Sequence, residues 1–277
     1  MRYLVLALVL ITAGCAQSAE KTLDRTFTVS PGGTLLVDAE GASVRVSGRD
    51  GDQVVVHMVV RASERELART TLDAVQRDDG VTVTMRKSGS GGSWWGNWER
   101  REIEVTVPRQ YGIDVRSSGG SLELRDTIGV ASLHTSGGSI SAENVAGNVE
   151  LRTSGGSIEA QKIQGDVDAG TSGGSVRLLE VDGKIRAKTS GGSVRCSLVG
   201  ANRGISVTTS GGSIEVSLPP DTKGNIEATT SGGRVSTELP VTSTVQEHSH
   251  LVGTINGGGE PIDAHTSGGS ISLRAQH

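Results

Sequence analysis

The tripeptide Ser-Gly-Gly recurs along this chain at a nearly fixed spacing, and this spacing restricts the choice of folds more than any other property. Its serines are Ser118, Ser136, Ser154, Ser172, Ser190, Ser210, Ser231 and Ser267. The intervals are 18, 18, 18, 18, 20, 21 and 36 residues, and we interpret the last as two periods with one copy lost. Self-similarity at such a period is typical of an array in which each unit stacks on its neighbours.

One repeat unit, residues 154–171, shows what each copy contains. Apolar and polar residues alternate twice, at Ile158 and Ala160 and again at Val167 and Ala169. This alternation is the period of a β-strand with one buried face and does not fit a helix. The sequence therefore predicts an all-β fold, a β-solenoid of stacked two-strand coils of about 18 residues with one short N-terminal helix insertion.

The paired glycines are predicted to form the corners at which successive coils turn. Glycine adopts backbone angles that are forbidden to other residues. Neighbouring Ser and Thr hydroxyls can bond local backbone groups and form ladders along the stack. We therefore assign the motif to the backbone rather than to a reaction. The corner glycines are Gly119, Gly120, Gly137, Gly138, Gly155, Gly156, Gly173, Gly174, Gly191, Gly192, Gly211, Gly212, Gly232, Gly233, Gly268 and Gly269.

Outward-facing charges indicate how neighbouring coils match in register. A period of 18 to 20 residues places opposite charges side by side on adjacent strands. Exposed pairs of this kind contribute at most about 1 kcal/mol each, so we expect them to select register more than to stabilise. The predicted pairs are Glu159 with Arg177, Asp168 with Arg186, and Arg195 with Glu215.

The region before the regular repeats contains a helix signal. Residues 26–60 alternate less regularly and are predicted to form entry coils. The sequence Ser-Glu-Arg-Glu at 63–66 matches a capping box, in which the serine and the second glutamate satisfy free backbone donors of the first turn. Apolar residues at helical spacing continue to Val75. These features predict a helix over residues 63–76 that packs its apolar stripe on the solenoid or binds a partner.

A Gly/Ser-rich segment, residues 88–100, contains Trp94, Trp95 and Trp98, which are all the tryptophans of the chain. Clustered tryptophans in a loop suit stacking on sugars, peptide binding or a membrane interface. The alternative is that the rings fold back and cover apolar surface. This loop is the candidate contact site.

The N-terminus resembles a targeting signal. Residues 4–11 form an unbroken apolar run, but eight helical residues span only about 12 Å, against roughly 30 Å of bilayer hydrocarbon. Residues 1–14 are therefore interpreted as a signal peptide. The sequence Thr-Ala-Gly-Cys at 12–15 resembles the bacterial lipobox, which implies cleavage before Cys15 and lipid attachment to its thiol. Ordinary secretion with cleavage after Ala16 is the alternative.

The same resemblance implies an outer-membrane destination in a Gram-negative cell, because Ala16 is not the Asp associated with inner-membrane retention. Residues 15–25 are predicted to be a lipidated anchor and linker with a reach of about 40 Å. Residues 26–277 are predicted to form a single solenoid domain. The second cysteine, Cys196, alternates with Val194 and Leu198 and is expected to lie in the core as a small hydrophobe.

The C-terminal stretch carries a family resemblance. Residues 235–240, the segment Gly-Thr-Ile-Asn-Gly-Gly-Gly at 253–259 and the segment Pro-Ile-Asp-Ala-His-Thr-Ser-Gly-Gly-Ser-Ile at 261–271 resemble the ending of the bacterial putative-adhesin family, and residues 27–46 resemble its beginning. The resemblance covers about residues 25–277. It implies an extracytoplasmic β-solenoid, usually non-enzymatic and sometimes linked to envelope-stress signalling, with no functional residues to carry over.

Several chemistries lack the residues that they need. A catalytic serine is required once, beside a positioned histidine and carboxylate, whereas Ser-Gly-Gly occurs eight times at structural spacing. Calcium-binding rolls need an Asp in each turn, and the Thr-Ser-Gly-Gly-Ser corners contain none. Ice binding needs paired threonines, and the threonines beside the corners are single. His248 and His250 lack the rest of a metal-ligand set. No cofactor motif is present.

Composition removes one further class of partner. The formal net charge is −4 with interspersed signs, so there is no footprint for nucleic acid. We expect a non-catalytic envelope lipoprotein that binds or scaffolds, with the membrane as one partner and an envelope protein or surface glycan as another. The alternatives are an envelope-stress sensor that acts through a protein partner and a polysaccharide-active enzyme on a β-helix, which would need clustered carboxylates in a cleft.

Overall fold

The structure, a computed structural model, describes residues 19–77, 80–88 and 100–276. Within these residues it contains twenty-five β-strands and one short helix. The chain divides into two compact units, Met1–Gly138 and Ser139–His277. The predicted all-β class, with stacked parallel strands and a single short helix, is confirmed.

The first unit contains ten strands and the helix within its described residues. They are β1 (Ala19–Thr28), β2 (Thr34–Ala39), β3 (Ser43–Arg49), β4 (Gln53–Ala62), α1 (Glu64–Arg69), β5 (Thr70–Arg77), β6 (Gly80–Lys87), β7 (Arg100–Pro108), β8 (Gly112–Ser117), β9 (Leu122–Ile128) and β10 (Ala131–Thr135). One sheet has the order β1-β4-β7-β3-β9 and the other the order β10-β8-β2-β6-β5.

The predicted entry coils over residues 26–60 form strands, but these strands do not stack in chain order. Strands β2 and β3 pair in parallel with β6 and β7 on one side and with β8 and β9 on the other. Strand β4 runs antiparallel to both β1 and β7. Short-range alternation specifies a strand and its buried face, but it does not specify the direction of the neighbouring strand.

The helix is shorter than the predicted span of 63–76. Ser63 caps α1, and its hydroxyl accepts a hydrogen bond from the backbone N–H of Glu66. The helix ends at Arg69, and from Thr70 the chain continues as β5, antiparallel to β6 along eight residue pairs. The β-branched Thr70 and Thr71 favour a strand, and pairing with β6 overrides the helical spacing of the apolar residues.

The predicted linker is also shorter than residues 15–25. Strand β1 begins at Ala19 and pairs with β4 from Ala19 to Thr28. Residues 19–25 therefore belong to a sheet. Cys15 and the signal peptide, residues 1–14, lie outside the described residues.

The second unit contains the most regular coils. Its strands are β11 (Ile140–Ala146), β12 (Val149–Arg152), β13 (Ile158–Gln164), β14 (Val167–Gly170), β15 (Val176–Asp182), β16 (Ile185–Lys188), β17 (Val194–Leu198), β18 (Ile205–Thr209), β19 (Ile214–Leu218), β20 (Gly224–Thr230), β21 (Val235–Thr237), β22 (Val241–Gln246), β23 (His250–Ile255), β24 (Pro261–Thr266) and β25 (Ile271–Ala275). The two sheets have the orders β11-β13-β15-β17-β19-β25-β21 and β22-β23-β20-β24-β18-β16-β14-β12.

The predicted cross-coil register is confirmed for all three charge pairs. Each pair occupies directly opposed positions on adjacent parallel strands. The side chains of Arg195 and Glu215 form a salt bridge of 3.0 Å. Asp168 instead forms its salt bridge, of 2.8 Å, with Arg152. The opposed positions are Glu159 with Arg177, Asp168 with Arg186, and Arg195 with Glu215.

The 36-residue interval is not two periods with one marker lost. After the short strand β21, the chain forms the antiparallel hairpin β22–β23, which adds to β20. The following coil, β24 with β25, lies between the β18–β19 coil and the β20–β21 coil. The last Ser-Gly-Gly therefore stacks directly on that of Ser210, and the extra residues form the hairpin.

The core of the second unit consists of small and medium aliphatic side chains from the inner faces of both sheets. Ile158 is 1% exposed, and Ala160 and Ile163 are fully buried. Cys196 is also fully buried, as predicted, and its burial raises the pKa of the thiol to about 12. A thiol with such a pKa is not ionised at neutral pH and contributes only packing.

Candidate functional site

The Ser-Gly-Gly corners of consecutive coils lie in contact with each other. A Cβ atom placed on Gly174 would lie 2.1 Å from the carbonyl oxygen of Gly156, whereas one placed on Gly173 would lie 3.4 Å from that of Gly155. The second glycine is equally close, at 2.1 to 2.2 Å, in the later coils at Gly192, Gly212, Gly233 and Gly269.

Close approach, rather than an unusual backbone angle, explains these glycines. No φ between +20° and +160° occurs at Gly173, Gly174 or the equivalent pairs of the later described coils. The sequence-based reason for the glycine pairs is therefore wrong. The second position needs the space that a missing Cβ leaves, because the backbone of the adjacent coil occupies it.

The threonine that precedes each corner is buried and bonded to backbone. The hydroxyl of Thr171 donates to the carbonyl oxygen of Gly156 over 2.8 Å and accepts from the N–H of Gly174 over 3.4 Å. Thr171 is 8% exposed. The same donation to a glycine carbonyl recurs at Thr135, Thr189, Thr209, Thr230 and Thr266. These hydroxyls hold neighbouring coils together. Because they are buried, they cannot form the exposed threonine face that ice binding requires.

The structure does not describe the predicted lipidation site or the candidate contact loop. Cys15 and the three tryptophans of the candidate contact loop, Trp94, Trp95 and Trp98, lie outside the described residues. The loop leaves β6 and returns at β7, whose first residue, Arg100, pairs with Arg61 of β4.

The second corner of each coil, opposite Ser-Gly-Gly, varies in length along the second unit. It is two residues long between β11 and β12, between β13 and β14, and between β15 and β16. It grows to six residues between β17 and β18 (199–204), and to five between β19 and β20 (219–223) and between β23 and β24 (256–260). We call these three the long loops. Loops held by a rigid scaffold are common positions for binding residues.

The three long loops line one depression of about 750 Å³. Each contributes residues to its wall, although the loops are separated by up to 60 positions in the chain. Volumes of about 300–1,000 Å³ are typical of sites for small molecules. The residues that this site can use for recognition are Asn202, Pro219, Asp221, Thr222, Lys223 and Glu260.

Asparagine side chains fasten the long loops to one another. The amide of Asn202 donates to the carbonyl oxygens of Lys223 and Glu260, over 3.1 and 2.9 Å. The amide of Asn256 donates to those of Pro220 and Thr222, over 3.1 and 2.8 Å. These four bonds fix three loops through two side chains. The depression is therefore held in shape by the protein itself.

Four polar side chains in the wall of the depression have no partner among the described residues. Asp221, Lys223 and Glu260 are exposed, and none forms a salt bridge within the described part of the chain. Thr222 is 5% exposed, and its hydroxyl has no hydrogen-bond partner among the described residues. Buried hydroxyls normally have a partner. In chemical terms the site can accept hydrogen bonds at two carboxylates and donate them from one ammonium group.

A comparison with family models matches residues 34–274 to the model described as Toastrack DUF4097. The chain belongs to this family. No curated protein matches it. The Toastrack chain is similar to a solved structure of a putative lipid binding protein from Parabacteroides distasonis, with 14% identity, 92% of this chain and 97% of that chain covered, and a TM-score of 0.47.

Two further solved structures are similar to the Toastrack chain. A putative adhesin from Bacteroides fragilis has 14% identity, covers 92% of this chain and 97% of its own, and has a TM-score of 0.34. A putative cell adhesion protein from Clostridium sporogenes has 15% identity, covers 92% and 100%, and has a TM-score of 0.29. At these TM-scores the similarities do not bear on function.

Histidines and carboxylates of the Toastrack chain share the outer face of β20, β23 and β24. Asp263 of β24 lies directly opposite Glu227 of β20. Two positions further along, Thr229 of β20 lies between His265 of β24 and His250 of β23. Burial, together with the charge of Glu227, raises the pKa of Asp263. Within the described residues no three His, Cys, Asp or Glu side chains come together as a metal site.

The repeat alone does not predict the long-loop site of the Toastrack chain, although the sequence contains a signal for it. The intervals of 20, 21 and 36 residues that interrupt the period correspond to the longer corners and the hairpin. The regular intervals define the repeat, whereas the departures from the period mark the site.

Among the described residues, no helix has the length and apolar character needed to cross a membrane.

Proposed function

We propose that the protein is a non-catalytic, adhesin-like binding protein of the bacterial cell envelope, anchored to a membrane by a lipid on Cys15. The observation that supports the binding role is the meeting of the three long loops around one depression, whose charged side chains form no salt bridge with any described residue. The resemblance of residues 235–271 to the putative-adhesin family points the same way.

Two features favour binding over catalysis. The residues that line the depression include neither His nor Cys, so its described wall lacks the Ser–His or Cys–His pair of covalent catalysis. The carboxylates of Asp221 and Glu260 leave a glycosidase as the catalytic alternative, which an assay for released polysaccharide fragments tests. The corner threonines, which could have been mistaken for reactive groups, are buried and bonded to backbone. The remaining carboxylates and ammonium group suit recognition of a polar ligand.

The anchor brings the first unit close to its membrane. Three residues separate Cys15 from the start of β1 at Ala19, and a fully extended chain reaches about 14 Å from one to the other. This is far shorter than the reach of about 40 Å expected for a linker extending to residue 25. A lipid on Cys15 would therefore hold β1 next to the bilayer.

Replacement of Cys15 tests the anchor. Cells that express the full chain or its Cys15→Ser variant are labelled with a clickable palmitate analogue and fractionated. We expect label and membrane association in the parent and neither in the variant. Cys196→Ser is the matched control, and it should keep both because its thiol is buried. A labelled, membrane-bound Cys15→Ser protein would contradict the anchor.

Co-sedimentation with isolated bacterial envelopes tests the binding role. Purified Cys15→Ser protein should bind these envelopes saturably, since a defined site has a finite capacity. Absent or non-saturable binding would contradict the role. Release of soluble fragments from envelope polysaccharide by the purified protein would contradict its non-catalytic character.

A further inference from the structure

We propose that the depression between the three long loops is a saccharide-binding site, an inference that rests on the proposed binding role and names its ligand class. The site lies far along the chain from the tryptophan loop. Its evidence consists of the converging loops, the asparagine bonds that hold them, the uncompensated charges, and the buried hydroxyl of Thr222.

The available hydrogen-bonding groups match a ligand with several neighbouring hydroxyls. Asp221 and Glu260 accept only, the ammonium group of Lys223 donates only, and the hydroxyl of Thr222 can do both. A sugar hydroxyl both donates and accepts, so one pyranose ring can use groups of both kinds at once. The apolar faces of Pro219 and Ala201 offer contacts for its C–H groups.

Other ligand classes fit less well. The charged groups of the lining are two carboxylates and one ammonium group, a net charge of −1, which disfavours phosphate and other anions. The charged side chains also disfavour a lipid tail, because their burial against hydrocarbon without partners is costly. A single cation would leave most of a 750 Å³ depression empty.

The fixed loops make binding less costly. Asn202 and Asn256 already bond four backbone carbonyls across the depression. The loops therefore lose little freedom when a ligand enters. The described lining has no aromatic ring on which a sugar could stack. The dissociation constant for a single sugar unit should therefore lie in the millimolar range.

Calorimetric titration tests the proposal. Purified Cys15→Ser protein, otherwise the full chain, is titrated with the methyl glycosides of glucose, galactose, mannose and N-acetylglucosamine. We expect saturable binding of at least one. Asp221→Asn and Thr222→Val should each weaken it about tenfold, since the first replaces a charged acceptor oxygen with a donor amide and the second removes the hydroxyl. Glu159→Gln, on the outer face of β13, should not change it.

The outcomes separate the site from the function. If both variants bind the glycosides as tightly as the parent, the assignment of the site is overturned. The assignment is also overturned if calcium chloride alone gives a heat of binding that Asp221→Asn abolishes. No binding of any of the four glycosides would overturn the ligand class, while saturable envelope binding would still support the proposed function. Unfolding curves of the variants that match the parent show that lost affinity is not lost folding.

Discussion

The hydroxyl of Thr189 donates a 2.7 Å hydrogen bond to the carbonyl oxygen of Gly174 in the preceding coil. It also accepts, over 3.4 Å, from the N–H of Gly192 in its own corner. Thr189 is 2% exposed. One buried hydroxyl thus ties each coil to the previous one and supports the turn that follows.

Replacing the hydroxyl of Thr189 should therefore be costly. Thr189→Val leaves a buried carbonyl and a buried N–H without a partner, which should lower the free energy of unfolding by about 1–3 kcal/mol. Thr222→Val is the matched control. Its hydroxyl is buried without a partner among the described residues, so the same change should leave stability unchanged or higher. Urea unfolding measures both, and equal losses in the two variants would contradict this account of the ladder.

The two glycines of one corner should respond differently to alanine. In Gly174→Ala the new methyl group would meet the carbonyl oxygen of Gly156 at 2.1 Å, so the coils must move apart. Overpacking of this kind costs about 1–3 kcal/mol. Gly173→Ala places its methyl group at 3.4 Å from the nearest atom and should cost clearly less. Equal midpoints of thermal unfolding for the two variants would refute the close-approach explanation.

A salt-bridged carboxylate in the first unit should stabilise the fold only above acidic pH. The hydrogen bond from Arg45, with Arg125 nearby, lowers the pKa of Glu123 below its usual 4.5. A lowered carboxyl pKa contributes stability that is present above the unfolded-state pKa and is lost as the pH falls through the folded-state pKa. Glu123→Gln should therefore destabilise the protein at pH 7. The difference should vanish at low pH, and a difference that persists at pH 2 would disprove the electrostatic origin.

Ionisation of Asp263 should lower the stability of the fold, in contrast to that of Glu123. Burial, together with Glu227 on the adjacent strand, raises the pKa of Asp263 above its usual 3.8. Its ionised form is thus less favourable in the folded protein than in the unfolded chain. Asp263→Asn should raise the unfolding midpoint at pH 7. This gain should shrink as the pH falls through the folded-state pKa and disappear below 3.8, and a loss of stability at pH 7 would contradict it.

The regular coils could be predicted because their information is local. Alternation identified the strands around Ile158 and Val167, and the period alone placed Arg195 beside Glu215. One local detail was missed. Ala160 and Ile163 are both buried although three positions apart, which strict alternation forbids. The structure resolves this with Lys162 in a left-handed conformation (φ 57°), and the same feature recurs 18 residues later at Glu180 (φ 54°).

Features that depend on long-range pairing could not be read from the sequence. The final coil lies between two coils that precede it in the chain, and the extent of β5 depends on pairing with β6. Alternation carries no information about which strand lies alongside. The three long loops come together for the same reason, because stacking of the coils brings chain positions 202, 221 and 260 to one corner.

Hydrogen exchange of the backbone amides with and without a bound glycoside tests most directly whether binding belongs to the long loops. The account predicts ligand-dependent protection in residues 199–204, 219–223 and 256–260, and no change at the Ser-Gly-Gly corners. Protection at those corners, or at residues 88–100 in place of the long loops, would contradict it.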